Sequence, residues 1–279
     1  MRKLGLVAGG GGLPAEIADR CRAAGRPYFV IRLRGFADEG TAGHPSAEIG
    51  LAELGKCFKS LKAEGCEVVC FAGQVSRPDF GKLKPDMRGL AALPGVIAAA
   101  RHGDDAMLRR ILEEFRKEGF EIEGAHEASG ALTLGLGRLG QLAPGPEHRE
   151  DIERALTVAR AIGRLDVGQG AVVCDGLVLA VEAQEGTDGM LRRVAELPEA
   201  IRGAPGRMRG VLAKATKPIQ EIRVDLPTIG VATVQRAAKA GLAGIVGEAG
   251  RLLVIDRESV AAMADSLGLF IIGVEPRDE

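Results

Sequence analysis

Short apolar runs alternate with amphipathic segments through the first third of the chain. Three runs have the length and content of buried strands, at residues 4–8, 28–33 and 68–72. Apolar residues at helical spacing predict helices at 13–24, 56–64 and 104–117, and a further strand is predicted at 120–123. Strands and helices that alternate in this way form a parallel sheet covered on both faces. The pattern therefore predicts an α/β fold with a Rossmann-like parallel sheet in an N-terminal domain.

The pattern changes between residues 129 and 146, where Gly, Leu and Pro are frequent and Arg138 is the one charged residue. We place the domain boundary here, which gives an N-terminal domain of residues 1–133 and a C-terminal domain of residues 134–279. Beyond the boundary, Asp175-Gly176 between two apolar runs predicts a β-hairpin. The other predicted strands are at 210–213, 228–232, 245–246, 252–255 and 270–274, and the predicted helices are at 147–163, 188–197, 234–240 and 258–267. The second domain is therefore predicted to be mixed α/β.

Composition narrows the function without defining it. The chain has 37 Lys and Arg against 38 Asp and Glu, with 3% aromatic residues and no Trp, so a nucleic-acid surface is not expected. The five cysteines are odd in number and lie in apolar or helical contexts, which indicates free thiols and a reducing compartment. No uncharged run approaches the roughly 18 residues that a membrane-spanning helix needs. We expect a cytoplasmic protein without nucleic-acid partners.

Four glycines at residues 9–12 lie between the first predicted strand and the first predicted helix. Backbone amides in such a turn point toward the helix N-terminus, where the helix dipole favours an anion. Gly11 and Gly12 are therefore candidate contacts for a phosphate or a nucleotide, although a tight βα turn without a ligand explains the same residues. An NAD site would also need an acid near the end of the second strand. This chain has Arg32 and Arg34 there, which makes NAD a poor fit.

Loops at the ends of other strands are further candidates for ligand contact. Gln74 follows the third strand, at the edge where open α/β sheets bind ligands, and its amide could contact a uracil edge or a ribose hydroxyl. Asp104 either caps the helix that it opens or faces a cleft, while Asp105 complements the helix dipole. His126-Glu127 is expected to end the last strand of the domain as an interface pair, not as a catalytic one.

Acids and lysines concentrate between residues 181 and 230, and several of them adjoin apolar or small residues. They are Glu182, Glu185, Asp188, Lys214, Lys217, Glu221 and Asp225. Carboxylates in apolar surroundings stay ionised beside a cation, a metal or a hydrogen-bond donor, a pattern typical of divalent-metal and phosphate chemistry. Lys214 and Lys217 could neutralise a diphosphate. Glu185 and Asp188 could hold a metal or sugar hydroxyls, and capping of the following helix by Thr187 or Asp188 is the alternative.

Asp225 is the most informative residue of this group. It lies between Val224 and Leu226, just before Pro227, in an apolar and conformationally restricted run. An unpaired carboxylate buried there would be costly, which favours a Mg²⁺ ligand or a general base. An ion pair with Arg223 or with a lysine is the structural alternative.

Four segments of the chain resemble one enzyme family. KLGLVAGGGGLP at 3–14, FAGQVSRPDF at 71–80, AVEAQEGTDGMLRR at 180–193 and KPIQEIRVDLPTIG at 217–230 are similar to the UDP-2,3-diacylglucosamine pyrophosphatase family called LpxI. The resemblance implies an enzyme of lipid A synthesis that cleaves UDP-2,3-diacylglucosamine into UMP and 2,3-diacylglucosamine 1-phosphate (lipid X), with Mg²⁺ as cofactor. It also implies a two-domain homodimer in the cytoplasm, acting near the inner membrane with peripheral contact to it.

The resemblance and the residue patterns together define a predicted site. Asp225 falls on the family's critical aspartate and is the predicted catalytic residue, and Asp225 and Glu185 are the predicted metal ligands. The predicted substrate contacts are Gly11, Gly12, Gln74, Asp104, Thr187, Asp188, Lys214, Lys217 and Thr228. Two other functions stay open, a nucleotide-dependent oxidoreductase built on the glycine turn and a lipid-nucleotide binding protein without catalysis.

Overall fold

A computed structural model describes residues 1–129, 132–217 and 226–277. Contacts divide the described residues into two units. Unit 1 contains residues 1–129, and unit 2 contains residues 132–217 and 226–277. Among these residues, no helix combines the length and the apolar content needed to cross a bilayer.

Unit 1 is built on a five-stranded parallel sheet with the strand order β3-β2-β1-β4-β5. Its elements are β1 Leu4–Ala8, α1 Leu13–Ala23, β2 Tyr28–Leu33, β3 Ser46–Ile49, α2 Leu54–Ala63, β4 Val68–Ala72, α3 Met87–Ala100, α4 Asp104–Lys117, β5 Glu121–Ile122 and α5 Ala125–Ser129. All five residues of the central strand β1 are buried, which explains its continuous apolar run. The predicted parallel sheet is confirmed.

Aromatic side chains fill the core between this sheet and the helices α2 and α4. Phe58 of α2 and Phe115 of α4 meet edge to face, with ring centroids 4.9 Å apart. Val7 and Ile31, from β1 and β2, belong to the same core. This packing holds the sheet firmly, so the loops that follow β1 and β4 start from fixed positions.

The structure corrects one prediction for the last part of unit 1. His126-Glu127 lies within α5 and does not end a strand, because β5 stops at Ile122. The Glu127 carboxylate accepts a hydrogen bond of 2.7 Å from the amide of Gly124, so it caps the start of this short helix.

Unit 2 contains a six-stranded mixed sheet with the order β6-β13-β11-β9-β7-β8 and a two-stranded parallel ladder of β10 and β12. Its elements are β6 Gly137–Leu139, α6 Arg149–Arg164, β7 Gly170–Cys174, β8 Leu177–Val181, α7 Gly186–Ala195, β9 Val211–Lys214, β10 Thr228–Ile229, α8 Val231–Lys239, β11 Gly244–Glu248, β12 Leu253–Val254, α9 Arg257–Leu267 and β13 Phe270–Val274. The strands β9, β11 and β13 are parallel, whereas β6, β7 and β8 pair antiparallel with their neighbours. The predicted mixed α/β class is confirmed.

The predicted hairpin joins β7 and β8 through Asp175-Gly176. Both residues have positive φ, 49° and 75°, as two-residue hairpin turns require. The Asp151 carboxylate of α6 accepts hydrogen bonds from both of their amides, at 3.0 Å and 2.7 Å. The turn is therefore set by local sequence and anchored to the neighbouring helix.

The predicted strand at 228–232 is wrong beyond Ile229. Gly230 is the N-cap of α8, and its amide donates to the Thr233 hydroxyl at 3.3 Å. The chain therefore turns into a helix at Val231, and the apolar residues that suggested a longer strand belong to the first turn of α8.

Candidate active site

The glycine turn of unit 1 is held against the loop that follows β4. The amide of Gly9 donates to Ala72 at 2.8 Å, and Gly10 and Gln74 exchange backbone hydrogen bonds of 2.9 Å and 2.8 Å. A Cβ atom on Gly9 would lie 2.6 Å from the carbonyl oxygen of Gln74, and one on Gly73 would lie 2.6 Å from that of Gly10. Close contact between the two loops therefore explains Gly9 and Gly73 without any ligand.

Gly11 has a different environment from its neighbours. Its φ is +88°, and a Cβ atom there would meet no atom of the described part of the chain within 4 Å. Its amide donates to the Asp38 carboxylate at 2.5 Å, while Gly12 caps α1 without a side-chain hydrogen bond. An acid from beyond the end of β2 thus occupies an amide of the predicted anion-binding turn. Asp38 was not predicted from the sequence, because it lies in the loop beyond the end of β2 and not at the end of the strand itself.

Gln74 lies in the loop directly after β4, whereas Asp104 opens α4, which follows α3. Gln74 contributes its backbone to the loop contact described above, and its side chain is exposed. Oδ1 of Asp104 is buried, forms an ion pair with Nη1 of Arg77 at 3.5 Å and has no hydrogen-bond partner among the described residues. Arg77 therefore balances part of the charge of this carboxylate.

In unit 2, the sheet order brings together two predicted substrate contacts and one further acid. Lys214 is the last residue of β9, Thr187 is in the first turn of α7, and Glu182 directly follows β8. Nζ of Lys214 donates to Oγ1 of Thr187 at 2.6 Å, and Oγ1 donates to Oε1 of Glu182 at 2.9 Å. Oε2 of Glu182 lies 3.7 Å from the same Nζ. These three residues are called the Lys214 cluster below.

The Lys214 cluster is built into the end of the sheet. Lys214 and Glu182 are 3% and 6% exposed, so their charges are largely removed from water. Lys214 lies opposite Gly170 in the register of β9 and β7. A buried ammonium at the end of a β-strand can stabilise an anion that binds beside it, while the neighbouring carboxylate balances the ammonium charge when no anion is bound.

The other predicted contacts of unit 2 lie in separate interactions. Nζ of Lys217 is 2.8 Å from Asp166, Asp188 is 3.3 Å from Arg236, and the Thr228 hydroxyl donates to the carbonyl oxygen of Leu226 at 3.2 Å. Among the described residues, the structure therefore joins Thr187 directly to Lys214, whereas Lys217, Asp188 and Thr228 contact other partners.

Glu185, a predicted metal ligand, accepts a hydrogen bond from Arg193. A hydrogen bond from its own backbone amide, with the Arg193 guanidinium beside it, lowers the pKa of the Glu185 carboxyl. The carboxylate is therefore ionised at neutral pH, and a cation at this position would compete with Arg193.

Asp225, the predicted catalytic residue, lies outside the described residues, as do Glu221 and Arg223. Within residues 1–129, 132–217 and 226–277, no three His, Cys, Asp or Glu side chains gather as a metal-binding group. Mg²⁺ usually takes one or two carboxylates together with substrate phosphates and water, and it does not need a dedicated group of three protein ligands. Of the two predicted metal ligands, Glu185 binds Arg193, and Asp225 is outside the described residues.

Comparisons with known proteins cover both units. Residues 3–132 match the LpxI N-terminal domain, and residues 135–272 match the LpxI C-terminal domain. The chain is 70% identical over 278 residues to UDP-2,3-diacylglucosamine pyrophosphatase LpxI of Caulobacter vibrioides, an alignment that covers 100% of this chain and 99% of the relative. The family expected from the sequence motifs is therefore confirmed, and the chain belongs to the LpxI family.

Proposed function

We propose that this protein hydrolyses the pyrophosphate bond of UDP-2,3-diacylglucosamine and releases UMP and 2,3-diacylglucosamine 1-phosphate in lipid A synthesis. The observation that carries the proposal is the 70% identity over the full length to a relative named for this activity. At this identity, with both LpxI domain models matched, a change of fold or of overall site chemistry is not expected.

The Lys214 cluster supports this reaction physically. Hydrolysis of a phosphoric anhydride builds negative charge on the phosphate oxygens, so catalysis depends on positioning and on neutralisation of charge. Lys214 has three N–H donors and gives one to Thr187. The remaining donors can bind a phosphate oxygen, and their effect is strong because the ammonium is buried.

In unit 1, the proposed substrate contacts are Gly11, Gly12, Gln74 and Asp104. Gly11, Gly12 and Gln74 follow the carboxyl ends of parallel strands, where α/β folds place their ligands, and Asp104 contacts Arg77 of the loop after β4. The open space at Gly11 supports a ligand at this edge of the sheet.

The proposal includes Mg²⁺ and a location on the cytoplasmic side of the inner membrane. Asp225 is the proposed metal ligand and catalytic residue, because its apolar neighbours favour a carboxylate that binds a cation. All five cysteines are free, which supports a reducing compartment. Met87 and Leu90 of α3 are 85% and 55% exposed, and such side chains support peripheral contact with a lipid surface or with a second subunit of a homodimer.

The proposed function is tested by incubating the purified protein with UDP-2,3-diacylglucosamine and Mg²⁺ and measuring UMP. UDP-N-acetylglucosamine, which carries the same nucleotide and diphosphate without acyl chains, is the matched control substrate. Release of UMP from the lipid substrate alone supports the proposal, and its absence contradicts it. A melting temperature that NADPH raises and the lipid nucleotide does not would favour an oxidoreductase instead.

A further inference from the structure

The direction of the hydrogen bonds in the Lys214 cluster is fixed by chemistry. An ammonium group can only donate, so the 2.6 Å contact makes the Thr187 hydroxyl an acceptor from Lys214. A carboxylate can only accept, so the single hydroxyl proton of Thr187 points to Glu182 at 2.9 Å. Thr187 therefore has no proton left to donate to a ligand in this arrangement. Its hydroxyl links Glu182 to Lys214, so the position of the carboxylate determines the position of the ammonium.

Glycine residues make the room for the Glu182 carboxylate. A Cβ atom on Gly170 would lie 2.5 Å from Oε2 of Glu182, and one on Gly168 would lie 2.0 Å from its carbonyl oxygen. The amide of Glu182 donates to the carbonyl oxygen of Gly170 at 2.8 Å, which fixes the backbone as well. Gly170 therefore leaves room for the carboxylate, and Gly168 leaves room for the main chain of Glu182.

The charge of Glu182 is only partly satisfied by hydrogen bonds. Its Oε2 is buried and has no hydrogen-bond partner among the described residues. The Lys214 ammonium, at 3.7 Å, is too far for a direct hydrogen bond but close enough for strong attraction in a buried position. Because the Thr187 hydroxyl lies between the two charges, the Lys214 ammonium is attracted to Glu182 without donating a hydrogen bond to it directly. Its remaining N–H groups are therefore available to a ligand.

We propose that Glu182 is a positioning residue for the pyrophosphatase reaction, which holds Lys214 through the Thr187 hydroxyl so that the ammonium meets a phosphate oxygen of the substrate. This inference rests on the proposed function. It assigns no direct contact with the substrate to Glu182. Loss of the carboxylate charge leaves the buried ammonium without its counter-charge and releases it from its position.

The test measures kcat and KM for UMP release by Glu182→Gln, with Glu153→Gln as the control. Glu153 is an exposed glutamate on α6, so its substitution changes the same charge away from the cluster. We expect Glu182→Gln to lower kcat about 10–100-fold, the scale of a misplaced catalytic group, and to change KM by less than about threefold. A kcat within about twofold of wild type contradicts the proposal.

Two further substitutions keep the proposal testable if Glu182→Gln does not fold. Thr187→Val removes the bridging hydroxyl and should lower kcat to a similar extent, whereas Thr187→Ser restores the bridge and should recover most of that loss. Gly170→Ala should displace the carboxylate, since its Cβ atom would meet the flexible end of Glu182. Normal kcat in both Thr187→Val and Gly170→Ala overturns the inference.

The wild-type protein in the same assay separates this inference from the proposed function. A wild type that releases no UMP removes the proposed function and the positioning role together. A wild type that turns over normally, accompanied by fully active Glu182 and Thr187 variants, removes only the positioning role. If Glu182 and Thr187 act through the same chain of hydrogen bonds, their effects should not add. The kcat of the double variant should then be no lower than that of the slower single variant.

Discussion

Arg160 of α6 and Glu248 at the end of β11 form a buried ion pair in unit 2. Oε1 of Glu248 lies 2.7 Å from Nη2 and 3.0 Å from Nε of Arg160. Their side chains are 7% and 3% exposed. The pair fixes a helix to the carboxyl end of the central strand of the sheet, one strand away from Lys214.

Glu248→Ala is expected to lower the free energy of unfolding by about 3–5 kcal/mol, because it leaves the Arg160 charge buried without its partner. The measurement is chemical denaturation followed by circular dichroism. Glu48→Ala is the control, since Glu48 pairs with Arg34 on the surface and both side chains are more than half exposed. That change should cost about 0–1 kcal/mol. Equal losses for the two variants would show that burial of the Arg160 pair has no energetic effect.

The cysteines should be unreactive in the folded protein. All five are buried. Burial raises the pKa of Cys57 from 9.0 to about 12, and that of Cys66 and Cys174 to about 11. Since the thiolate is the reacting form, we expect a thiol reagent at pH 8 to label the native protein slowly and to label five thiols after unfolding. Fast labelling of any thiol in the native state would contradict this environment.

The same raised pKa values predict the effect of alkaline pH on stability. The folded Cys57 thiol holds its proton above pH 9.0, where the thiol of the unfolded chain loses it. Its contribution to stability is therefore complete below pH 9 and is lost as the pH rises toward 12. For each protein, the fall in melting temperature is measured from its own value at pH 7. This fall at alkaline pH should be smaller in Cys57→Ala than in the wild type. If the melting temperature of Cys57→Ala falls between pH 9 and pH 11 as steeply as that of the wild type, other groups cause the loss.

The sequence predicted the buried strands well, because a continuous apolar run reports burial on both faces. β1, β2 and β4 have the bounds expected from their runs. The helix α3 was not predicted, since Gly89, Pro94 and Gly95 interrupt its sequence. Gly89 is needed there because a Cβ atom would lie 1.8 Å from the carbonyl oxygen of Ala52. Tertiary packing determines this helix, and a single sequence does not report that packing.

Individual residues of the site were predicted from the sequence, but the contacts between them were not. Thr187 and Lys214 are 27 residues apart and meet because β8, β7 and β9 are neighbours in the sheet. Glu182 was visible as one acid of a charged segment, but its bridge to Lys214 depends on the strand order. Asp38 likewise reaches Gly11 only through the loop that follows β2. Strand order is set by long-range contacts, which explains why these roles were missed.

Asp225→Ala is expected to lower kcat by about 10²–10⁴-fold, the range of a group that acts as a general base or orders the reacting groups. Binding of the lipid nucleotide should persist, because the other proposed contacts remain. The measurements are UMP release and equilibrium binding of the substrate. Asp265→Ala is the matched control, since this carboxylate accepts a hydrogen bond from the amide of Gln141 and has no proposed part in the reaction. A rate near that of wild type would make Asp225 a structural residue.

The divalent cation is expected to bind together with the substrate. Mg²⁺ commonly takes one or two carboxylates together with substrate phosphates, and it keeps several of its waters. The described residues do not gather a metal-binding group, so most of the ligands proposed here come from Asp225, the substrate and water. The free protein should therefore hold Mg²⁺ weakly.

We expect EDTA to abolish UMP release while it leaves the melting temperature of the substrate-free protein unchanged. Added Mg²⁺ should restore the rate, and NaCl at equal ionic strength should not. Because a tightly bound metal would stabilise the folded state, a large fall in melting temperature with EDTA would point to a preformed site, and undiminished turnover in EDTA would remove the cation from the proposal.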